Sequence, residues 1–151
     1  MKSCHWNRFV VLVPQQAREG LRLGFLRRLF GKGKPRVVPV SLNEANFNQE
    51  ILEHKGPCLV DVWTYSCPYC AKLAPTMVAI ATKYRDWAKV CELNAGKFPG
   101  LARRMGIRGT PTVVVFEDGK LLGRIVGFRP QSYYEEMIET EFPIAEGEEG
   151  P

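Results

Sequence analysis

The sequence predicts an α/β fold in which a mixed central β-sheet carries helices on both faces. Apolar runs of strand length alternate with segments of helical spacing, a pattern that gives parallel strand–helix–strand units. The tetrapeptide Glu117-Asp118-Gly119-Lys120 separates two apolar runs and is typical of a hairpin turn, so it adds an antiparallel edge to the sheet. A chain of 151 residues is long enough to bury a core in one domain.

Each element is predicted from the spacing of its apolar residues. In the first helix, Phe47, Ile51 and Leu52 would share one buried face, with Asn43 or Ser41 as the cap. The elements are expected in this order: helix 41–54, strand 59–63, a helix after Cys70, strand 89–94, helix 98–105, strands 112–116 and 121–126, and helix 131–142.

The charge of the chain is unevenly distributed. Apolar and charged contents of 45% and 25% are ordinary for a globular protein. Residues 1–40 contain nine basic residues against one acidic residue, a net charge of +8, so the rest of the chain carries −3 of the total of +5. We expect a basic, disordered N-terminal extension over 1–40, one domain over 41–142, and an acidic flexible tail over 143–151.

The basic extension is compatible with several roles. It would contact an anionic membrane surface or an acidic partner weakly, and its arginine-rich composition resembles an organellar transit peptide. A plain disordered extension, or a translation start placed too early, is the alternative. The domain itself shows no nucleic-acid-binding pattern. We therefore expect a cytoplasmic protein, or an organellar one if residues 1–40 are a transit peptide.

Cys67 and Cys70 form a Cys-x-x-Cys motif where a buried strand ends and a helix begins. Unpaired backbone N–H groups and the helix dipole at such a position stabilise a thiolate, the nucleophilic form of cysteine. The outer Cys67 would attack a disulfide, and the inner, shielded Cys70 would resolve the mixed disulfide. The alternatives are an unreactive pair or half of a zinc site, for which the other cysteines and histidines are badly spaced.

Asp61 interrupts the otherwise apolar strand 59–63. A carboxylate is costly to bury, and burial raises its pKa, so this position favours a functional acid. The alternative is a structural aspartate that faces solvent or caps a turn.

Several separated motifs resemble those of the thioredoxin family and occur in the family's order. They are Val60-Asp61-Val62-Trp63, Cys67-Pro68-Tyr69-Cys70, Pro75, Gly106-Ile107-Arg108-Gly109-Thr110-Pro111-Thr112 and Gly127. The resemblance covers about residues 41–142 and implies the thioredoxin fold. It also implies a monomeric protein-disulfide reductase that acts on disulfide-containing client proteins, takes electrons from a thioredoxin-type reductase and needs no cofactor or metal.

The resemblance also assigns roles to individual residues. Asp61 would lie beneath Cys70 and accept its proton as the mixed disulfide resolves. The Thr110–Pro111 bond would be cis, so that the backbone of Thr110 pairs with an extended substrate, and Gly127 would leave room for the substrate backbone. Two aromatic residues complete the expected substrate-binding region: Trp63, packed under the active-site loop, and Tyr69 on the contact surface.

The sequence departs from the thioredoxin pattern in three places. Ser66 replaces the tryptophan that usually precedes the first cysteine, and Pro68-Tyr69 lies between the cysteines as in glutaredoxins. We expect a redox potential between those of the two families. Glu92 occupies a position where thioredoxins usually have a lysine near the buried acid. A second carboxylate there would raise the pKa of Asp61.

Two other functions fit parts of the sequence. The Cys-Pro-Tyr-Cys motif suggests a glutathione-coupled oxidoreductase, although the glutathione-binding residues typical of glutaredoxins are not found. A non-enzymatic carrier, tethered by the basic extension and holding a metal or iron–sulfur cluster on its cysteines at a dimer interface, is the alternative from another class.

Overall fold

The computed structural model describes residues 35–143. Five strands and three α-helices are present in this part of the chain, together with one π-helical segment, Asn48–Leu52. The strands are β1 Val40–Ser41, β2 Pro57–Trp63, β3 Lys89–Asn94, β4 Thr112–Glu117 and β5 Lys120–Val126. The α-helices are α1 Pro68–Lys83, α2 Pro99–Arg104 and α3 Gln131–Glu141.

The five strands form one mixed sheet in the order β1-β3-β2-β4-β5. β1, β2 and β3 are parallel, whereas β4 pairs antiparallel with both β2 and β5. The predicted α/β class with a mixed central sheet is therefore confirmed. The central strand β2 is buried from Pro57 to Val62, because helices or helical turns cover both faces of the sheet.

The core has two layers, one on each face of the sheet. On one face, Leu59 of β2 and Val113 of β4 pack against α1 and α3 through Leu73, Tyr134 and Ile138. The other face packs against the π-helical segment and α2; its members include Val60, Val62, Cys91, Leu93, Ile51, Leu101 and Met105. Asp61 lies between Leu59 and Trp63 on β2 and, by strand alternation, points to the α1–α3 face.

The predicted helix at 41–54 is confirmed only in part, because it starts later and is shorter than predicted. Ser41 lies in β1, and helical structure is confined to the π-helical segment Asn48–Leu52. The side chain of Asn43 accepts hydrogen bonds from the backbone N–H groups of Ala45 and Asn46, as the predicted helix cap should, and the N–H of Phe47 donates to the carbonyl oxygen of Asn43. Ile51 is buried as predicted, but Leu52 is 42% exposed.

Structure also extends N-terminal to the predicted boundary at residue 41. The backbone N–H of Val37 donates to the hydroxyl of Thr82 on α1, and Val40 pairs with Cys91 of β3. β1 is only two residues long and was not predicted, because so short a strand leaves no periodic pattern.

The predicted hairpin between β4 and β5 is confirmed. Asp118 and Gly119 both have positive φ, 49° and 78°, as a two-residue turn of this type requires. A Cβ atom on Gly119 would lie 2.1 Å from the carbonyl oxygen of Leu52, so no larger residue fits there. The hairpin thus packs directly on the π-helical segment.

Residues 1–34 and 144–151 lie outside the described structure, so the predictions for most of the basic extension and for the acidic tail stay predictions. Within residues 35–143, no helix is long and apolar enough to cross a membrane.

Candidate active site

Cys67 lies at the junction of β2 and α1. It is the N-cap residue of α1, and Pro68 occupies the first helical position, where a missing N–H costs no hydrogen bond. The Sγ atom of Cys67 accepts from the backbone N–H of Cys70 at 3.2 Å. This contact and the helix dipole both favour a negatively charged sulfur at residue 67.

Cys67 and Cys70 are joined in a disulfide, with 5.3 Å between their Cα atoms. The two cysteines differ in accessibility: Cys67 is partly exposed, whereas Cys70 is only 4% exposed. Cys67 is therefore the more accessible of the two cysteines to a substrate.

The loop before β4 lies against the active-site loop. The Thr110–Pro111 peptide bond is cis, the isomer that the family resemblance implied. The hydroxyl oxygens of Thr110 and Thr64 lie 3.2 Å apart, which joins this loop to the end of β2. Gly127 has a φ of 84°, and its backbone N–H donates to the carbonyl oxygen of Pro111 at 2.9 Å.

A cavity of about 270 Å³ lies beside the two cysteines. The side chains that line it include Asp61, Trp63, Cys67, Cys70 and Glu92. Five residues predicted from separate parts of the sequence thus border one space. An acid–base group and the dithiol can exchange protons through such a cavity.

Asp61 is 4% exposed, and its Oδ1 atom has no hydrogen-bond partner among the described residues. Burial raises the pKa of Asp61 to about 7, and the charge of Glu92 adds to the effect. Glu92 is the register partner of Asp61 across the β2–β3 pair and is half-buried. Asp61 therefore gains and loses its proton near neutral pH.

Ser41 is a member of the site that the sequence did not indicate. Its hydroxyl donates to Oε1 of Glu92 at 2.5 Å, from the neighbouring strand β1. Ser41 was predicted only as a helix cap. The contact depends on the pairing of β1 with β3, two strands about fifty residues apart, so no local signal could have revealed it.

Two exposed tyrosines flank the partly exposed Cys67 in the chain. Tyr65 is 88% and Tyr69 57% exposed, and the ring of Tyr65 lies edge-on to that of Trp63 at 5.1 Å. The ammonium group of Lys72 lies 5.1 Å from the centre of the Tyr69 ring. An exposed aromatic surface of this kind suits contact with another protein.

Cys58 and Cys91 lie in the core, with their sulfur atoms 3.9 Å apart. The contact with Cys91, together with burial, raises the pKa of the Cys58 thiol far above its ordinary value. A neutral, inaccessible thiol does not act as a nucleophile. The described residues contain no group of three or more histidine, cysteine or acidic side chains placed to hold a metal ion.

Tyr134 of α3 packs in the core and also carries a buried polar atom. Its ring is fully buried, and its hydroxyl has no hydrogen-bond partner among the described residues. Burial and the charge of Asp61 both raise the pKa of Tyr134. Tyr134 is therefore neutral throughout the range in which Asp61 titrates.

Comparison with known proteins finds similarity to thioredoxins, both in a family model and in individual proteins. A family model described as Thioredoxin matches residues 38–140. Thioredoxin 1 of Synechococcus elongatus is 38% identical over 95 residues, which cover 63% of this chain and 89% of that protein. The chloroplastic M-type thioredoxin of Chlamydomonas reinhardtii is 32% identical over 136 residues, covering 86% and 97%. Thioredoxin of Pseudomonas aeruginosa is 36% identical over 88 residues, covering 58% and 82%.

The match spans the mixed sheet, the redox disulfide at the start of α1 and the cis-proline loop. The predicted function as an enzyme that exchanges thiols and disulfides is thereby confirmed. The chain belongs to the thioredoxin family and is a thiol-disulfide oxidoreductase of the protein-disulfide reductase type.

Proposed function

We propose that Cys67 is the attacking residue and Cys70 the resolving residue in the reduction of client disulfides. The Cys67 thiolate attacks one sulfur of the client disulfide, forming a mixed disulfide and releasing the other client sulfur as a thiolate. The Cys70 thiolate then attacks Cys67, which forms the enzyme disulfide and releases the second client thiol. The observation that carries this assignment is the difference in exposure between the two cysteines.

Asp61 is proposed to accept the proton of Cys70 before the resolving step. This role is supported by the shared cavity and by a pKa of about 7, close to physiological pH. Glu92 is proposed as the residue that keeps this pKa high, since its charge opposes ionisation of Asp61. A protonated Asp61 would receive no second proton, so the resolving step should speed up as pH rises through 7.

Clients are proposed to bind as extended segments along the cis-proline loop. The backbone of Thr110 would pair with the client strand, and Pro111 and Gly127 would border it. Trp63 would support the loop that bears Cys67, and Tyr69 would contact the client from α1. The exposure of Tyr69 and the absence of a side chain at Gly127 support this assignment.

The electron donor is proposed to be a thioredoxin-type reductase, and the monomer is proposed as the working form. For localisation, a cytoplasmic protein remains the first proposal. An organellar location is supported by the similarity to a protein named as a chloroplastic M-type thioredoxin, together with the basic composition of residues 1–40.

Trapping of the mixed disulfide tests the two cysteine roles. With Cys70→Ser, the resolving thiol is missing, so clients should accumulate in covalent complexes with Cys67 that dithiothreitol releases. Cys67→Ser, the matched control, should trap nothing. Equal trapping by both variants would contradict the assignment. Exclusive recovery of glutathione on Cys67 would instead favour the glutathione-coupled reaction.

A further inference from the structure

A second cavity, of about 390 Å³, lies next to the cis-proline loop. It is bordered by the loop 106–109 and by Thr112, Arg124 and Val126. Two of its side chains, Arg108 and Arg124, are positively charged. We call this space the arginine pocket; it does not include either cysteine.

Arg124 is held in position by the chain around it. Its Nε–H donates to the carbonyl oxygen of Met105 at 2.5 Å, and its guanidinium lies against the backbone of Gly106. A Cβ atom at residue 106 would lie 2.9 Å from Nη2 of Arg124, and the φ of 70° there also favours glycine. The guanidinium is thus fixed at the pocket wall by a single hydrogen bond.

The positive charge of the pocket has no counter-ion within the described structure. Neither Arg108 nor Arg124 forms a salt bridge with any residue of 35–143. The acids of the active site, Asp61 and Glu92, line the other cavity. Two arginines that share an open pocket without a carboxylate attract an external anion.

The position of the pocket indicates where that anion comes from. Gly109 and Thr112, which line it, flank Thr110 and Pro111 in the sequence. Val126, on the other wall, precedes Gly127, whose N–H donates to the Pro111 carbonyl oxygen. A peptide lying along the cis-proline loop would therefore pass the mouth of the pocket.

We propose that the arginine pocket binds an aspartate or glutamate side chain of the client protein, close in sequence to the client cysteine that Cys67 attacks. Guanidinium groups bind carboxylates through paired, charge-assisted hydrogen bonds, so the ligand class follows from Arg108 and Arg124. This proposal rests on the proposed function and adds a substrate preference: clients with an acidic residue beside the disulfide are reduced faster than neutral ones.

The test uses disulfide-cyclised peptides that are identical except for one position, which is Glu in one member of each pair and Gln in the other. Separate pairs place that position on either side of the attacked cysteine. The full chain is used throughout, so that the basic residues of 1–40 contribute equally to every variant. The measured quantity is the ratio of kcat/KM for the Glu peptide to kcat/KM for the Gln peptide.

In the wild-type protein, we expect a ratio of about two to five at one or two positions, the range expected for a partly exposed ion pair. Added salt should lower this ratio. Arg108→Gln, which removes no hydrogen bond found in the described structure, should lower it, and the double variant Arg108→Gln/Arg124→Gln should bring it to about one. Arg85→Gln, which removes an exposed charge on the turn after α1, is the matched control and should leave it unchanged.

Two results would overturn the proposal. One is a ratio of about one at every position in the wild type; the other is a ratio that the double variant leaves unchanged. Slower reduction of glutathione disulfide by the double variant, with unchanged peptide ratios, would assign the pocket to glutathione carboxylates instead. Reduction of oxidised lipoamide, a neutral disulfide, distinguishes failure of this proposal from failure of the proposed function. A wild-type protein that does not reduce lipoamide would refute the proposed function itself.

Discussion

Asp61 and Glu92 are register partners on the adjacent parallel strands β2 and β3, and both line the cavity beside Cys70. Burial opposes ionisation of Asp61, and the charge of Glu92 acts in the same direction. The central strands of the sheet thus hold an acid that titrates at about pH 7 next to the resolving cysteine.

Replacement of Asp61 by asparagine should stabilise the protein at pH 8 and slow the resolving step. The folded-state pKa of about 7 lies above the ordinary value of 3.8, so the folded state binds the proton more tightly than the unfolded state. Wild-type stability should fall as pH rises from about 4 to about 7, by about 2 to 4 kcal/mol in total. The variant should lack this fall, as urea unfolding at pH 4, 6 and 8 would measure.

Loss of the proton acceptor should lower the rate of the resolving step by about 10- to 100-fold. The control for both measurements is Asp86→Asn, which removes an exposed carboxylate and should change neither. A variant with the same fall in stability between pH 4 and 7 as the wild type would show that Asp61 is not the titrating group.

Glu92→Lys should lower the pKa of Asp61, because an ammonium group near the carboxylate favours its ionised form. The pH midpoint of the resolving step should move to a lower pH, measured by rapid-mixing kinetics between pH 5 and 9. Glu92→Gln, which removes the charge without reversing it, should produce a smaller shift in the same direction.

Glu136→Lys makes the same change in net charge on the exposed face of α3 and should leave the midpoint in place. Ser41→Ala should have a small effect, because Ser41 reaches the site only through Glu92. If Glu92→Lys and Glu136→Lys gave identical pH profiles, the proposed role of Glu92 would be wrong.

The two residues between the cysteines should set the redox potential. We expect the wild-type potential to lie between about −270 mV, typical of thioredoxin, and about −200 mV, typical of glutaredoxins. Replacement of Pro68-Tyr69 by Gly-Pro should make it more negative. Equilibration in dithiol buffers, followed by tryptophan fluorescence, measures both values.

Tyr65→Ala serves as the control, since it removes an exposed aromatic side chain outside the pair of cysteines. A wild-type potential below that of thioredoxin would contradict the expectation.

Cys58 and Cys91 should be unreactive in the folded protein. Both sulfur atoms are buried, and the Cys58 thiol is held neutral by its raised pKa. After reduction of the active-site disulfide, N-ethylmaleimide should modify Cys67 rapidly and leave Cys58 and Cys91 unmodified, as peptide mapping would show. Denaturant should expose both. Modification of Cys58 at the rate of Cys67 would contradict the buried position.

Gly119→Ala should destabilise the fold by about 2 kcal/mol or more. The new Cβ atom would collide with the carbonyl oxygen of Leu52, and the φ of 78° is itself unfavourable for alanine. Gly123→Ala in β5, where no heavy atom lies within 4 Å of the added Cβ, is the matched control and should change the free energy of unfolding by less than about 1 kcal/mol. Thermal unfolding distinguishes the two.

Local patterns in the sequence were sufficient to predict most of the strands and helices of the fold. β3 was predicted with its observed bounds, Lys89–Asn94, and the hairpin turn at Asp118-Gly119 was read from residues that favour positive φ. Both signals are local, because apolar periodicity and turn chemistry depend on only a few neighbouring residues. They can therefore be read from the sequence without knowledge of the tertiary structure. The prediction placed the start of the first helix too early, because the residues at 40 and 41 form a short strand that pairs with β3.

The sequence by itself determined the reactive dithiol and the family, because Cys67 and Cys70 are close in the chain and the motifs keep their order. Only the tertiary structure decided what surrounds them. The contact of Ser41 with Glu92 joins separate strands, and the arginine pocket depends on Arg124 packing against Gly106. Strand register and side-chain packing set such long-range contacts, and neither leaves a local pattern in the sequence.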